Sequence, residues 1–254
     1  MSEKTILVTN DDSIVSPGIK ALVEAVRPFG RVVVVAPDSP QSGKGHAITL
    51  EEPLRLRKVD VFDGIEAYQC SGTPVDCVKL AVDQVLKGKP DLCVSGINHG
   101  SNSSINVIYS GTMSAAMEAS IEGITAIGFS YLDYSFQADF SACKHYASIL
   151  AQKALNGDFE QGTLLNVNFP ILPLDSIKGM KVCKQAKAKW IEEFDSRTDP
   201  RGRQYYWLTG EFVNGDTDED TDEWALANGY VSIVPVKYDL TDYVRLSQLK
   251  NTIS

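Results

Sequence analysis

The chain has 254 residues, enough to bury one full core, and nothing in that length requires a second domain. Acidic residues outnumber basic ones 33 to 24, a net charge of -9. That balance excludes bulk binding to a nucleic-acid polymer or an anionic membrane, and an anionic ligand would need a locally placed cation.

Thr5-Ile6-Leu7-Val8-Thr9 reads as a strand buried on both faces, the kind that parallel sheets contain. It runs straight into Asn10-Asp11-Asp12, with Ser13, Ser16, Pro17 and Gly18 supplying its end. Neighbours in a continuing strand point to opposite faces, so both carboxylates serve one site only if the strand stops at Asn10. Ser16 is placed to cap a helix with Pro17 at its first position and Ile19, Leu22, Val23 and Val26 on one face, ending near Phe29-Gly30. Arg31-Val32-Val33-Val34-Val35-Ala36 is a second buried strand, closed by Pro37-Asp38, and residues 39–45 form a loop on the same sheet edge as the acidic pair.

Residues 47–70 read as extended segments around Asp63-Gly64, and Thr73-Pro74 opens a helix with the apolar stripe Val78, Ala81, Val82 and Val85. Asp91-Leu92-Cys93-Val94-Ser95 is the next strand, ending at Gly96. Helices are expected over 113–121 and 140–155, and strands over 125–129 and 163–169. This alternation predicts a Rossmann-like α/β fold, a parallel sheet with helices on both faces. From about residue 178 the pattern changes: residues 181–190, 204–208 and 230–236 read as strands without an intervening helix. One domain is therefore expected, with a body over 1–178 and a hairpin-rich C-terminal oligomerisation arm over 179–254. The start, Met1-Ser2-Glu3-Lys4, has no signal-peptide core, and the five cysteines have no metal-type spacing; a cytoplasmic protein without disulfides or zinc is expected.

Three loops should meet at one sheet edge: Asn10-Asp11-Asp12, residues 39–45 and residues 96–102. All offer oxygen donors, which suit an octahedral Mg2+ or Mn2+. Ser110-Gly111-Thr112 opens a helix, so its N–H groups and hydroxyls form an anion site beside that ion. A metal next to a phosphate cradle points to hydrolysis of a phosphate ester. An Asp pair after a strand is equally common as turn or cap chemistry, so the pair stays open between ligand and turn. Ser42-Gly43-Lys44-Gly45 lacks P-loop spacing, and the acidic run at 216–220 lacks the central glycine of a calcium loop. His46 and His99 read as structural hydrogen bonders near the site. Two readings without turnover compete: an oligomeric nucleotide-binding scaffold, and a receiver-like switch, which needs a later phosphoacceptor Asp where this chain has residues 95–98.

Nearly the whole chain resembles the stationary-phase survival protein family, SurE, which comprises metal-dependent nucleotidases. The resemblance rests on Ile6-Leu7-Val8-Thr9-Asn10-Asp11-Asp12, Gln41-Ser42-Gly43, Gly72-Thr73-Pro74, Val94-Ser95-Gly96-Ile97-Asn98, Ile108-Tyr109-Ser110-Gly111-Thr112 and Asn166-Val167-Asn168-Phe169-Pro170. It implies dephosphorylation of nucleoside 5'-monophosphates, often of 3'-monophosphates and in some members of short polyphosphate. It also implies one divalent ion per subunit, Mg2+ or Mn2+, held by Asp11, Asp12, Ser42 and Asn98, with Asp11 and Asp12 catalytic. Asn10, Asn98, Ser110, Gly111 and Thr112 are then assigned to the phosphate and substrate. Homodimers or homotetramers with exchanged C-terminal segments are a further expectation. The chain departs from the family pattern at Ser13, where glycine is usual, over residues 100–104, and at Val234-Pro235-Val236.

Overall fold

In the computed structural model, which describes residues 3–135 and 137–253, the alternation of β1 (Thr5–Thr9) sends Ile6 and Val8 into one apolar cluster and Leu7 into another. All three are fully buried, and each contributes about 1.5–3 kcal/mol relative to exposure. The sheet therefore needs a helical layer on each face. In chain order the remaining elements are α1 (Pro17–Val26), β2 (Arg31–Pro37), β3 (Leu56–Val59), β4 (Glu66–Cys70), α2 (Pro74–Leu80), β5 (Leu92–His99), α3 (Asn106–Tyr109), α4 (Gly111–Ile121), β6 (Ala126–Tyr131), α5 (Ser141–Asn156), β7 (Leu164–Phe169), β8 (Met180–Val182), β9 (Ala188–Thr198), β10 (Gln204–Asn214), α6 (Asp222–Ala227), β11 (Val231–Val236) and α7 (Tyr243–Ile253). Helices α1 and α5 cover the Ile6 face, and α2 and α4 cover the Leu7 face.

The main sheet has nine strands in the order β3-β4-β2-β1-β5-β6-β7-β11-β8. Strands β4 to β7 across the centre are parallel, while β3 and β11 run antiparallel to their neighbours β4 and β7. The chain leaves β1 towards β2 on one side and later returns to β5 on the other, so the strand order reverses between β1 and β5. Loops leaving such a pair diverge to opposite faces and open a crevice at the carboxyl ends of the strands. At that crevice α1 presses on β5: a Cβ on Gly18 would stand 1.9 Å from the Ile97 carbonyl oxygen, a contact only glycine allows.

The local end signals hold in three dimensions. Ser16 Oγ accepts from the Ile19 N–H at the start of α1, and Thr73 with Asp76 forms a capping box on α2. Three expectations need correction. The strand expected to stop at Gly96 continues to His99, with a register shift against β6 between Ser95 and Asn98 and a cis Gly96-Ile97 peptide. Residues 181–190 are not one strand, because the chain leaves β8 at Val182 and starts β9 at Ala188.

The C-terminal part also contains helices. Between the strands where no helix was expected, Thr221 caps α6 by accepting from the Trp224 N–H, and Asp222 and Glu223 in the first turn complement the helix dipole. Helix α7 buries none of its residues in the chain. Strands β8 and β11 sit in the main sheet, while β9 and β10 pair only with each other, from Ala188↔Asn214 to Thr198↔Gln204. That hairpin carries exposed Phe194, Tyr206, Trp207 and Leu208.

Candidate active site

The turn after β1 is built by its own side chains. Asn10 is fully buried, and its Nδ2 donates to the Ser13 carbonyl at 2.8 Å and to Ser16 Oγ at 2.9 Å. Its amide nitrogen is therefore spent on closing the turn that aims the next two residues. Ser13 takes a φ of 93°, the left-handed side of the map, where glycine is at ease and a Cβ is not. The Ile14 N–H donates to the Pro37 carbonyl at 2.9 Å, which fastens the turn to the end of β2.

Asp11 is 3 % exposed and sits against the start of α4. Its Oδ1 accepts from the Thr112 hydroxyl, and its carbonyl accepts from the Gln41 N–H at 2.8 Å. That second bond places the Ser42 loop beside the carboxylate. Burial, then the neighbouring Asp12 carboxylate, pushes Asp11 up to about 6, against the opposing Thr112 hydrogen bonds. Asp12 is less buried; burial raises its carboxyl too, and the His99 N–H donating to its Oδ2 at 3.2 Å holds it in place. Asn98 Nδ2 donates to the Gly100 carbonyl at 2.8 Å, which leaves Oδ1 as the atom able to ligate.

A polar cleft of about 350 Å³ brings together Asp11, Ser42, Asn98, His99 and Ser110, walled by Tyr109 and Trp190. Asp12 stands beside it on the His99 backbone. Gly111 and Thr112 serve the carboxylate from behind: Thr112 is fully buried on Asp11, and Gly111 gives the room in which Asp11 lies. Ser110 Oγ accepts from the Met113 N–H as the cap of α4.

Two adjacent carboxylates raised by burial, with no cationic side chain among the influences on either, make a site short of positive charge. The surrounding donors are hydroxyl and amide oxygens, a set that suits a hard divalent cation. Among the described residues no three His, Cys, Asp or Glu side chains gather as a metal centre, so such an ion would depend on Asp11 and Asp12 with Ser42 and Asn98.

Sequence reasoning missed the layer beneath the cleft. The Asn102 N–H donates to Asn168 Oδ1 at 2.8 Å, Asn102 Nδ2 to Ser130 Oγ at 2.7 Å, and Asn166 Nδ2 to the Asn102 carbonyl at 2.7 Å. Asn166 and Asn168 are polar residues in the buried strand β7, the one signal that could have flagged them. Trp190 was missed as well; its Nε1 donates to Asn106 Oδ1 at 2.8 Å and brings the hairpin base to the cleft wall.

Fold and site together define a doubly wound α/β protein with an acidic, oxygen-rich crevice at its topological switch point. The model of the family Survival protein SurE matches residues 6–192, and the chain belongs to that family. It is 59 % identical over 252 residues to "5'-nucleotidase SurE" of Flavobacterium psychrophilum, covering 99 % of this chain and 98 % of that one. It is 60 % identical over 250 residues to the protein of the same name from Cytophaga hutchinsonii, covering 98 % and 96 %. Among solved structures, the SurE protein from Aquifex aeolicus superposes with a TM-score of 0.85 at 42 % identity, over 98 % of this chain and 100 % of that one.

Proposed function

We propose that this chain is a 5'-nucleotidase that hydrolyses the phosphate monoester of nucleoside 5'-monophosphates, using one Mg2+ or Mn2+ per subunit held by Asp11, Asp12, Ser42 and Asn98. Nucleoside 3'-monophosphates and short polyphosphate belong to the same reading. The observation that carries it is the buried Asp11 carboxylate, fixed by Thr112 at the start of α4 beside Asp12 and inside a polar cleft. Relatives covering almost the whole chain carry the nucleotidase name, which supports the same activity here.

A divalent ion bound at these oxygens supplies charge neutralisation for the phosphate and makes water more acidic. The protein's own groups do the rest. Thr112 holds Asp11 in one orientation, and the first turn of α4, opened by Ser110, favours an anion. Asp12, whose Oδ2 is held by the His99 N–H, has Oδ1 to receive the proton of an attacking water as the bond to the ester oxygen breaks. The departing alkoxide takes up the proton that Asp12 received and leaves as the nucleoside, which returns Asp12 to its carboxylate form.

Phosphate release from AMP by the full chain tests this reading, with Mg2+, Mn2+ or a chelator. Turnover should need metal, and Asp11→Asn and Asn98→Ala should lose it; near-wild-type rates in both variants would overturn the site. No described helix is long and apolar enough to cross a membrane. Action in the cytoplasm is part of the proposal, as is a homodimer or homotetramer joined through the exposed apolar faces of the β9–β10 hairpin and α7. A monomer in sedimentation would remove the last element.

A further inference from the structure

A cavity of about 500 Å³ lies beside the polar cleft and shares Gly43, Tyr109 and Trp190 with it. Its character is different: Trp190, Leu208 and Gly210 of the hairpin line it with Tyr109 at the end of α3, and its surface is mostly apolar although Glu192 and Thr209 also contribute. The two spaces therefore form one compartment with a polar end at Asp11 and Ser42 and an apolar, aromatic end. A ligand that fills both must carry a phosphate at one end and a flat apolar group at the other.

Resting on the nucleotidase reading, we infer that the space between Tyr109, Trp190 and Leu208 is the nucleobase subsite, with Trp190 as its stacking platform. The Trp190 ring is held and the Tyr109 backbone is tied down, and both residues remain partly exposed. Trp190 is fixed by the bond from Nε1 to Asn106 Oδ1 and by a tilted contact with Phe212, centroids 5.5 Å apart, while remaining 39 % exposed. The Tyr109 carbonyl accepts from the Gly45 N–H at 3.2 Å, so its wall is tied to the Ser42 loop, and 53 % of the residue is exposed. Pre-positioned aromatic faces suit base stacking, which tolerates any base because each has a π face. The hairpin that supplies Trp190 and Leu208 is thus part of substrate recognition, and the subsite discriminates nucleotides from other phosphomonoesters.

The test compares AMP with ribose 5-phosphate, which keeps the phosphate and sugar but lacks the base, on wild type, Trp190→Ala, Trp190→Phe and Tyr109→Ala. The inference expects Trp190→Ala and Tyr109→Ala to lower kcat/KM for AMP by about five- to hundredfold, mainly through KM, from the worth of one base–aromatic stack. Ribose 5-phosphate should lose at least about fivefold less than AMP in each alanine variant, and Trp190→Phe, which keeps a ring, should recover most of the AMP rate. Equal losses on both substrates in the two alanine variants, or no loss on AMP in either, would overturn the subsite. Absence of phosphate release from both substrates by the wild type would instead sink the catalytic reading. In that case calorimetry of AMP against ribose 5-phosphate decides the subsite: tighter AMP binding lost in Trp190→Ala supports it, and equal affinities reject it.

Discussion

Gly111 lies in contact with Asp11, so close that a Cβ on Gly111 would stand 2.8 Å from Asp11 Cβ and 2.9 Å from its Oδ2. The first residue of α4 is a glycine because a carboxylate occupies the space a side chain would take. Gly111→Ala must push Asp11 off the position set by Thr112, and misplacement on the order of 1 Å costs about a hundredfold in rate. The expected outcome is a folded variant, destabilised by about 1–3 kcal/mol, with AMP hydrolysis down about two orders of magnitude. Thermal melting and phosphate release check both halves, and wild-type activity would show that the close packing is irrelevant to the site.

Asp11 predicts an unusual pH dependence for the metal-free protein. Its carboxyl, raised by burial first and by Asp12 second, titrates at about 6 instead of 3.8. A folded-state value above the unfolded one means stability fully present below the unfolded pKa and lost as pH rises through the folded one, here about 3 kcal/mol in all. Asp11→Asn removes that loss. Its metal-free melting temperature should exceed the wild type's at about pH 8 and approach it only at about pH 4, near the unfolded value. Added Mn2+ should raise the wild-type melting temperature more at the higher pH, since ligation needs the carboxylate, and should do little for the variant. A wild-type to variant gap independent of pH would contradict this account.

Ser13 stands at a φ of 93° in the turn that aims Asp11 and Asp12. A side chain there costs about 1–2 kcal/mol of backbone strain, whereas glycine costs about 0.4–1 kcal/mol of extra entropy in the unfolded chain. Strain is the larger quantity, so Ser13→Gly should stabilise by about 0.5–1 kcal/mol, a rise of roughly 1–4 °C in melting temperature for a chain of this size. Scanning calorimetry of the two proteins reads the sign directly, and a lower melting temperature would mean the serine makes a contact worth more than the strain.

Much of the body was legible in the sequence because its signals are local. The apolar run of β1, the Ser16-Pro17 cap and the Thr73 capping box each act within a few residues. What was not legible depends on long-range pairing. The Thr112 hydroxyl meets Asp11 across 101 positions and the Asn102 N–H meets Asn168 across 66, and no periodicity announces either. Gly96 looked like a strand end, yet pairing of Asn98 and His99 with Ser130 and Tyr131 on β6 carries β5 past it. Ser42 entered only through family resemblance, because a serine in a glycine-rich loop has no chemical mark until the Gln41 N–H binds the Asp11 carbonyl. Helix α6 was hidden because it is only six residues long and begins just after the acidic run at 216–220, too short for an apolar periodicity to show.

His46 staples the Ser42 loop to α4. Its Nε2 lies 2.9 Å from Glu118 Oε2, on a carboxylate whose other oxygen meets Lys79 and whose side chain is only 5 % exposed. The His46 hydrogen bond is the largest influence holding the Glu118 carboxyl below its ordinary range. His46→Ala cuts the staple and leaves Glu118 with Lys79, so the fold should survive while the loop loosens. The Mn2+ concentration for half-maximal AMP hydrolysis should rise about tenfold, as for other groups that orient metal ligands indirectly. Rates at saturating Mn2+ should fall less than about threefold. Unchanged metal demand would show that Ser42 is positioned without His46.

Asp222 joins three segments that are far apart in sequence. Its Oδ2 accepts from the Ser104 N–H at 2.7 Å, and its Oδ1 accepts from the N–H groups of Ala186 and Glu223, both at 2.9 Å, in a site 1 % exposed. Ser104 completes the clasp: its hydroxyl donates to the Ala186 carbonyl at 2.8 Å and accepts from the Ala188 N–H at 3.1 Å. One carboxylate thereby fixes the loop behind the polar cleft, the start of β9 and the first turn of α6. Removing it leaves buried N–H groups without acceptors, each a loss of about 1–3 kcal/mol, so Asp222→Ala should destabilise by about 3–5 kcal/mol in total. Asp222→Asn, which keeps one acceptor oxygen, should lose less and remain folded for kinetics. Trp190 lies two positions beyond Ala188 on the same strand, so a looser clasp lets the aromatic wall shift. The asparagine variant should therefore raise KM for AMP more than for ribose 5-phosphate, the pattern expected of Trp190→Ala in weaker form. A selective effect on the base-bearing substrate from a residue outside both cavities would show that the C-terminal segment positions the hairpin for recognition; equal effects on both substrates would confine Asp222 to stability.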